Sequence, residues 1–281
     1  MTDIPPLHAA RTLKQFGLWA ARGLGQNFLE DPSALQRIAA AAENERSDVV
    51  LEVGPGLGSL TRYLAAAARE VVAVELDARL LPALRSVLKP YENVRVVQGD
   101  ILGLSPADLS LPEGYLVVAN IPYNITSALL RHLLASQPRP RRMVLTVQQE
   151  VARRICASPP DMSLLALSVQ VYGRPASVAE IPARAFFPEP TVDSAVVRID
   201  LHPRPVIEPP LLPQFFELTR AGFSQRRKML RNALAGGLRL RAAEAAALLV
   251  QAGIDPRRRA ETLTLQEWEQ LAKARAAGLL A

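Results

Sequence analysis

The sequence predicts an α/β fold: a mostly parallel, doubly wound sheet, then a smaller domain built only of helices. Three observations carry this. Between residues 49 and 148, short Val-rich runs alternate with segments of helical spacing. Those runs are continuously apolar rather than alternating, as strands covered on both faces are. Beyond residue 205 the strand signal stops and helical spacing runs to the end.

The strands fall at Val49–Val53, Glu70–Glu75, Val94–Gln98, Tyr115–Asn120 and Met143–Gln148, with helical spacing at Ser59–Ala67 and Ala78–Leu88. Two further strands, Ser177–Ile181 and Ala195–Leu201, flank the Pro-rich stretch Phe186–Pro190. That stretch is too short for a crossover helix, so the final pair is expected to be antiparallel. His202-Pro203-Arg204-Pro205 and Glu208-Pro209-Pro210 punctuate the chain and place a boundary near 205, giving domains 1–205 and 206–281. Helices are expected in the second at Leu212–Gly222, Ser224–Ala235, Ala242–Ala252 and Leu265–Ala277, broken at Gly236-Gly237 and Gly253-Ile-Asp-Pro256.

With 281 residues, 49% hydrophobic and 21% charged, the composition is that of an ordinary soluble globular protein. No apolar run approaches the ~20 residues of a membrane span. Met1–Gln15 lacks the apolar core of a signal peptide, so a cytoplasmic location is expected. The single Cys156 excludes an internal disulfide, and with only His8, His132 and His202 beside it no metal site is expected. The net charge of +6 is clustered at Arg139/Arg141/Arg142, Arg153/Arg154, Arg226-Arg227-Lys228 with Arg231, and Arg257-Arg258-Arg259. The planar arginine fork suits phosphate. For any one cluster the alternative is a solvated face.

Asn120-Ile121-Pro122-Tyr123 ends an apolar run. An amide, two carbonyls and an aromatic ring at a strand end suit gripping a flat base by its exocyclic amine. The first strand runs into Glu52-Val-Gly54-Pro-Gly56-Leu-Gly58. Glycines there allow unusual dihedrals and close approach of the backbone to a ligand. The spacing is not the Gly-x-Gly-x-x-Gly of a dinucleotide loop. Glu52 would also repel a pyrophosphate while favouring a sulfonium or ammonium. Glu75 ends the second strand, where a carboxylate can accept ribose hydroxyls, and Asp100 follows the third, where it can accept an adenine amine or cap a turn. The donor that fits is S-adenosylmethionine, consumed as a methyl source.

Five motifs occur in order: Gly25-Gln-Asn-Phe-Leu29, the loop 54–58, Asn120–Tyr123, Phe186-Phe-Pro-Glu-Pro-Thr-Val-Asp-Ser194 and Phe223-Ser-Gln-Arg-Arg-Lys-Met-Leu-Arg-Asn232. From residue 22 to 270 the chain closely resembles the bacterial 16S ribosomal RNA adenine-N6 dimethyltransferases, the family whose loss confers kasugamycin resistance. The resemblance implies a Rossmann-like class I methyltransferase sheet and a helical RNA-binding domain. It implies a donor site of Gln26, Asn27, Leu29, Glu52, Gly54, Gly56, Glu75, Leu76, Asp100, Ile101 and Asn120. It gives Asn120, Ile121 and Pro122 to the target amine, Tyr123 and Phe186 to the two faces of the adenine, and Arg226, Arg227, Lys228 and Arg231 to RNA. It further implies a monomer that dimethylates two adjacent adenosines in a 3′-terminal hairpin loop of small-subunit rRNA and acts late in subunit assembly. The chain departs from the family pattern at Gln149, Leu164-Leu165 and Glu189. Its first 20 residues match no motif; Arg11, Lys14 and Arg22 there either touch RNA or belong to a solvated arm.

Rival readings are a non-catalytic assembly protein, a 23S rRNA methyltransferase, a DNA adenine methyltransferase and a nicotinamide dehydrogenase. The intact Asn120–Tyr123 motif disfavours the first, the basic helical tail the second, and Asn rather than Asp at 120 the third. The glycine spacing disfavours the last.

Overall fold

A computed structural model describes residues 4–122, 125–225 and 227–278, with Arg22 described by its backbone only. The elements in chain order are α1 (Ala9–Gln15), β1 (Phe28–Leu29), α2 (Pro32–Ala42), β2 (Val49–Val53), α3 (Ser59–Ala65), β3 (Glu70–Glu75), α4 (Leu81–Leu88) and β4 (Val94–Gln98). Then come β5 (Leu116–Asn120), α5 (Thr126–Ala135), β6 (Arg142–Gln148), α6 (Gln149–Ile155), α7 (Leu164–Gln170), β7 (Gly173–Ile181), β8 (Phe186–Phe187) and β9 (Ser194–Leu201). Four helices close the described chain: α8 (Leu212–Phe223), α9 (Leu230–Leu238), α10 (Ala242–Gln251) and α11 (Leu265–Gly278).

One seven-stranded sheet has the order β4-β3-β2-β5-β6-β9-β7. Strands β4, β3, β2, β5 and β6 are parallel, and β9 runs antiparallel to β6. Strands β2 and β5 are buried almost throughout, which is why their sequences read as unbroken apolar runs. The chain builds outward from β2 through β3 to β4, then returns to place β5 on the other side of β2. Ligands bind at the carboxyl ends of strands at such a switch point. Helices α2 and α3 cover one face, where Leu35, Ile38 and Leu64 pack with Val50, Val118, Val144 and Val196. Burying a side chain of this size contributes roughly 1.5–3 kcal/mol. Asp31 starts α2 by accepting from the Ala34 N–H at 3.0 Å, with Pro32 at the first helical position.

The chain divides into two compact units, Met1–Ala152 with Pro175–Leu201, and Arg153–Arg174 with His202–Ala281. The expected cut at 205 falls close to the Leu201/His202 crossing. Residues 153–174 fall inside the expected first domain, yet Ala166, Leu167 and Val171 pack into one core with Phe215, Leu218 and Trp268.

Two helix boundaries in the second unit also differ from the expectation. α9 begins at Leu230, not Ser224, because Ser224 closes α8 through its hydroxyl to the Ala221 carbonyl at 2.6 Å. The Leu230 and Arg231 N–H groups then donate to the Arg258 and Pro256 carbonyls, fixing a turn before α9. Gly236-Gly237 lies inside α9 rather than ending it. A Cβ on Gly237 would stand 2.6 Å from the Ala221 Cβ, so the glycine admits close packing on α8. Among the described residues no helix is long and apolar enough to cross a membrane.

Candidate active site

The carboxyl ends of β2, β3, β4 and β5 open into one cavity in the first unit. Every residue expected to hold the donor lines it: Gln26, Asn27, Leu29, Glu52, Gly54, Gly56, Glu75, Leu76, Asp100, Ile101 and Asn120. Gly54 and Gly56 take φ of +70° and +59°, conformations that side chains rarely adopt. At Gly56 a Cβ would also meet the Phe28 ring at 3.0 Å. Turning this way aims the Gly56 N–H at Glu75 Oε2, 3.0 Å away, while Glu75 Oε1 accepts the Asp77 N–H at 2.8 Å.

Glu52 is 2% exposed, and its Oε2 has no hydrogen-bond partner among the described residues. Burial pushes its carboxyl up to about 8; the Thr61 hydroxyl pulls the other way, and the nearby Glu75 carboxylate adds to the rise. Burial raises Glu75 too, opposed by the N–H groups it accepts. Among the described residues neither buried acid has an ion-pair partner. Asp100 is exposed at the rim and caps the turn 101–103 by accepting the Leu102 N–H at 2.9 Å.

The segment preceding β1 is tied across the cavity at both ends. Gln26 donates to Asp77 Oδ2 at 2.9 Å and accepts the Ala21 N–H at 2.8 Å. Asp77, gripped by the Arg79 guanidinium, is held down to about 2. At the other end Asn120 donates its amide to the Asn27 carbonyl at 3.1 Å. β1 pairs with β8, setting Phe28 opposite Phe187 and Leu29 opposite Phe186.

Ile121 and Pro122 line the cavity beside Asn120, and the Pro122 carbonyl accepts the Ile125 N–H at 3.2 Å. Tyr123 lies outside the described residues. Phe186 is 4% exposed in the core under the sheet and is absent from the cavity wall. In the second unit, Arg227 and Lys228 are exposed in the turn between α8 and α9, and Arg231 is half-buried on α9; Arg226 lies outside the described residues.

Two residues that shape the site lie outside the expected set. Phe28 lines the cavity, and an aromatic beside glycines is the packing signal for it. Asp77 was signalled by Glu75-Leu-Asp77-Ala-Arg79, an acid and a base two apart just past a strand end.

A Rossmann-like sheet with a glycine loop after β2, an acid ending β3 and Asn-Ile-Pro ending β5 defines a class I methyltransferase. Residues 20–276 match the family "Ribosomal RNA adenine dimethylase", and the chain belongs to it. It is thus an enzyme, and the donor of this methyltransferase family is S-adenosylmethionine. The chain is 47% identical over 264 residues to "Ribosomal RNA small subunit methyltransferase A" of Dehalococcoides mccartyi strain CBDB1, covering 94% of this chain and 91% of that one. To the protein of the same name from Moorella thermoacetica it is 43% identical, covering 93% and 94%. Among solved structures, the 23S rRNA methyltransferase ErmE is 31% identical with a TM-score of 0.71, covering 88% of this chain and 99% of that one. A Plasmodium falciparum dimethyladenosine transferase shares the fold, with a TM-score of 0.77 at 24% identity over 89% and 98%.

Proposed function

We propose that this enzyme dimethylates N6 of two adjacent adenosines in a 3′-terminal hairpin loop of 16S rRNA, as a monomer acting on the small ribosomal subunit late in its assembly. The observation that carries the reading is the lock on Asn120. A backbone carbonyl only accepts, so the Asn27 carbonyl fixes which end of the Asn120 amide faces it. The side-chain oxygen remains to accept a hydrogen from an exocyclic amine.

The donor fits this wall. Its positive charge answers the buried acids Glu52 and Glu75. Each Glu75 oxygen accepts one N–H and keeps capacity for a ribose hydroxyl. Leu76, 55% exposed at the rim, and Ile101 offer apolar surface to an adenine ring.

The target N6 lone pair is delocalised into its ring, making the amine a poor nucleophile. Asn120 Oδ1 and the Ile121 carbonyl take its two hydrogens; the Pro122 carbonyl is already engaged by Ile125. The nitrogen becomes more tetrahedral and attacks in line. An N–C bond forms as the C–S bond breaks, the sulfonium becomes a thioether, and the charged nitrogen loses its proton to water. Positioning of this kind supplies roughly 7–11 kcal/mol. In the second round one acceptor is given up to the first methyl. The base must leave its stack to reach the site. Tyr123 is assigned one face of it. Phe186 can serve the other face only if the 186–190 segment gives up some of its packing when the base enters.

The test is mass spectrometry of both rRNAs after treating undermethylated ribosomes with enzyme and donor. Two neighbouring dimethyladenosines near the 3′ end of 16S rRNA are expected. Modification of 23S rRNA, which the likeness to ErmE makes the rival outcome, would overturn the reading.

A further inference from the structure

The arm before the donor site is docked on the first unit. Ala9 and Leu13 are buried with Phe28, Leu57, Leu80 and Ala83, and Leu7, Phe16, Leu18 and Ala20 pack against the same cluster. Polar ties hold it as well: Arg62 donates to the Pro5 carbonyl at 2.8 Å, and the Ala9 N–H donates to the Glu30 carboxylate. Phe28, Leu57 and Leu80 also line the cavity, so the arm packs on the back of its wall.

Three large side chains of this arm stay exposed: Trp19, Arg11 and Lys14. Leu18 and Ala20 turn inward, yet Trp19 between them is 74% exposed. A lone exposed apolar side chain is ordinary. Here it accompanies exposed Arg11 and Lys14, neither with an ion-pair partner among the described residues. The sequence has no acid between Asp3 and Glu30. Ala21, two positions after Trp19, is held by Gln26 of the cavity wall. A large flat ring, unpaired cations and no opposing charge match a single-stranded nucleic acid, which offers π-faces and phosphates.

We propose that Trp19, Arg11 and Lys14 form a docking surface for unpaired rRNA next to the target adenosine, with Trp19 stacking on a base. This rests on the RNA substrate proposed above. On this proposal the arm's backbone is docked and its outward side chains are the contact.

The experiment measures KM for undermethylated small subunits with radiolabelled donor, and donor affinity by calorimetry. Trp19→Ala is expected to raise KM roughly 5- to 150-fold, the range of one lost base–ring stack. Trp19→Phe should recover most of it, because a phenyl ring still presents a π-face. Arg11→Ala with Lys14→Ala should reduce the salt slope of log KM by about 1.4–1.8, two phosphate contacts' worth. Donor affinity should stay at the wild-type value in all three. A Trp19→Ala KM within twofold of wild type would overturn the proposal. So would a loss of donor affinity, or Trp19-dependent co-sedimentation with anionic phospholipid vesicles. If the wild-type enzyme itself fails to methylate small subunits, the substrate reading has failed instead, and the unmutated protein shows it.

Discussion

Asn120 has two jobs at opposite ends of one amide. Its nitrogen holds the Asn27 carbonyl at 3.1 Å, and its oxygen is the acceptor proposed above for the target amine. Asp at this position keeps an acceptor but brings a carboxylate against a carbonyl oxygen. Asn120→Asp should therefore lower single-turnover methyl transfer roughly 100-fold or more. A rate within tenfold of wild type would show that the lock is incidental. Glu52 makes a second prediction. Burial raises its carboxyl to about 8, so at pH 7 the donor-free protein holds it mostly protonated. A bound cation favours the ionised form and lowers that value, so donor binding at pH 7 releases a proton. By pH 9 the carboxyl is mostly ionised and the release shrinks. Calorimetry in buffers of different ionisation enthalpy should give stronger buffer dependence of the heat at pH 7 than at pH 9, and Glu52→Gln should reduce the dependence at pH 7. Equal heats in phosphate and Tris at pH 7 would contradict it. With its folded value above 4.5, the contribution of Glu52 to stability is fully present below about pH 4.5 and is lost as pH rises toward 8.

At the scale of elements, β1 and β8 join two loops that the sequence presents as separate motifs. The Glu30 N–H donates to the Ala185 carbonyl at 2.9 Å and extends the pairing. The segment over the cavity and the segment carrying Phe186 thus form one hydrogen-bonded ribbon, and a shift in one is felt in the other. The close packing of α8 on α9 is a second such contact and can be tested. Gly237→Ala gains up to about 1 kcal/mol of helix propensity. It also puts a methyl 2.7 Å from the Ala221 Cα, where backbone must move, at a cost of about 1–3 kcal/mol. The net expectation is a lower denaturation midpoint; a stabilised variant would mean that the helices separate freely. This pair also shows what sequence can and cannot reveal. Strands β2 and β3 were legible to the residue because they are Val-rich segments buried on both faces, while β4, part-exposed at the sheet edge, was legible from its Val content alone. The glycines of the donor loop were legible because their spacing is local. The start of α9 was not, because it is set by carbonyls of Pro256 and Arg258, far along the chain. Gly236-Gly237 read as a break for the same reason: the partner that makes glycine useful there, Ala221, is a tertiary neighbour. The burial of Phe186 was not legible either, since a motif does not report burial.

Across the whole molecule, the charge clusters separate once their partners are known. In the first unit Arg141 pairs with Asp48 at 2.7 Å, and Arg142 joins Arg198, Glu43 and Asp200 in a network at the end of α2. Those arginines brace the fold. In the second unit Arg257 pairs with Asp255, Arg258 with Glu267 and Arg259 with Glu261. Arg227 and Lys228 have no ion-pair partner among the described residues and stand exposed in the turn before α9. A cation already matched by a carboxylate adds little to counterion release, whereas an unmatched one adds nearly its full share. Arg227→Ala with Lys228→Ala should thus weaken binding to small subunits and reduce the slope of log K against log salt by about 1.4–1.8. Arg257→Ala with Arg259→Ala removes the same formal charge and should change the slope by less than half as much. Binding titrations between about 50 and 200 mM salt decide it. If the two double variants shift the slope equally, net charge alone governs RNA attraction and the pairing pattern is irrelevant to it. If the order is reversed, the RNA-facing surface is the 257–259 turn rather than the turn before α9.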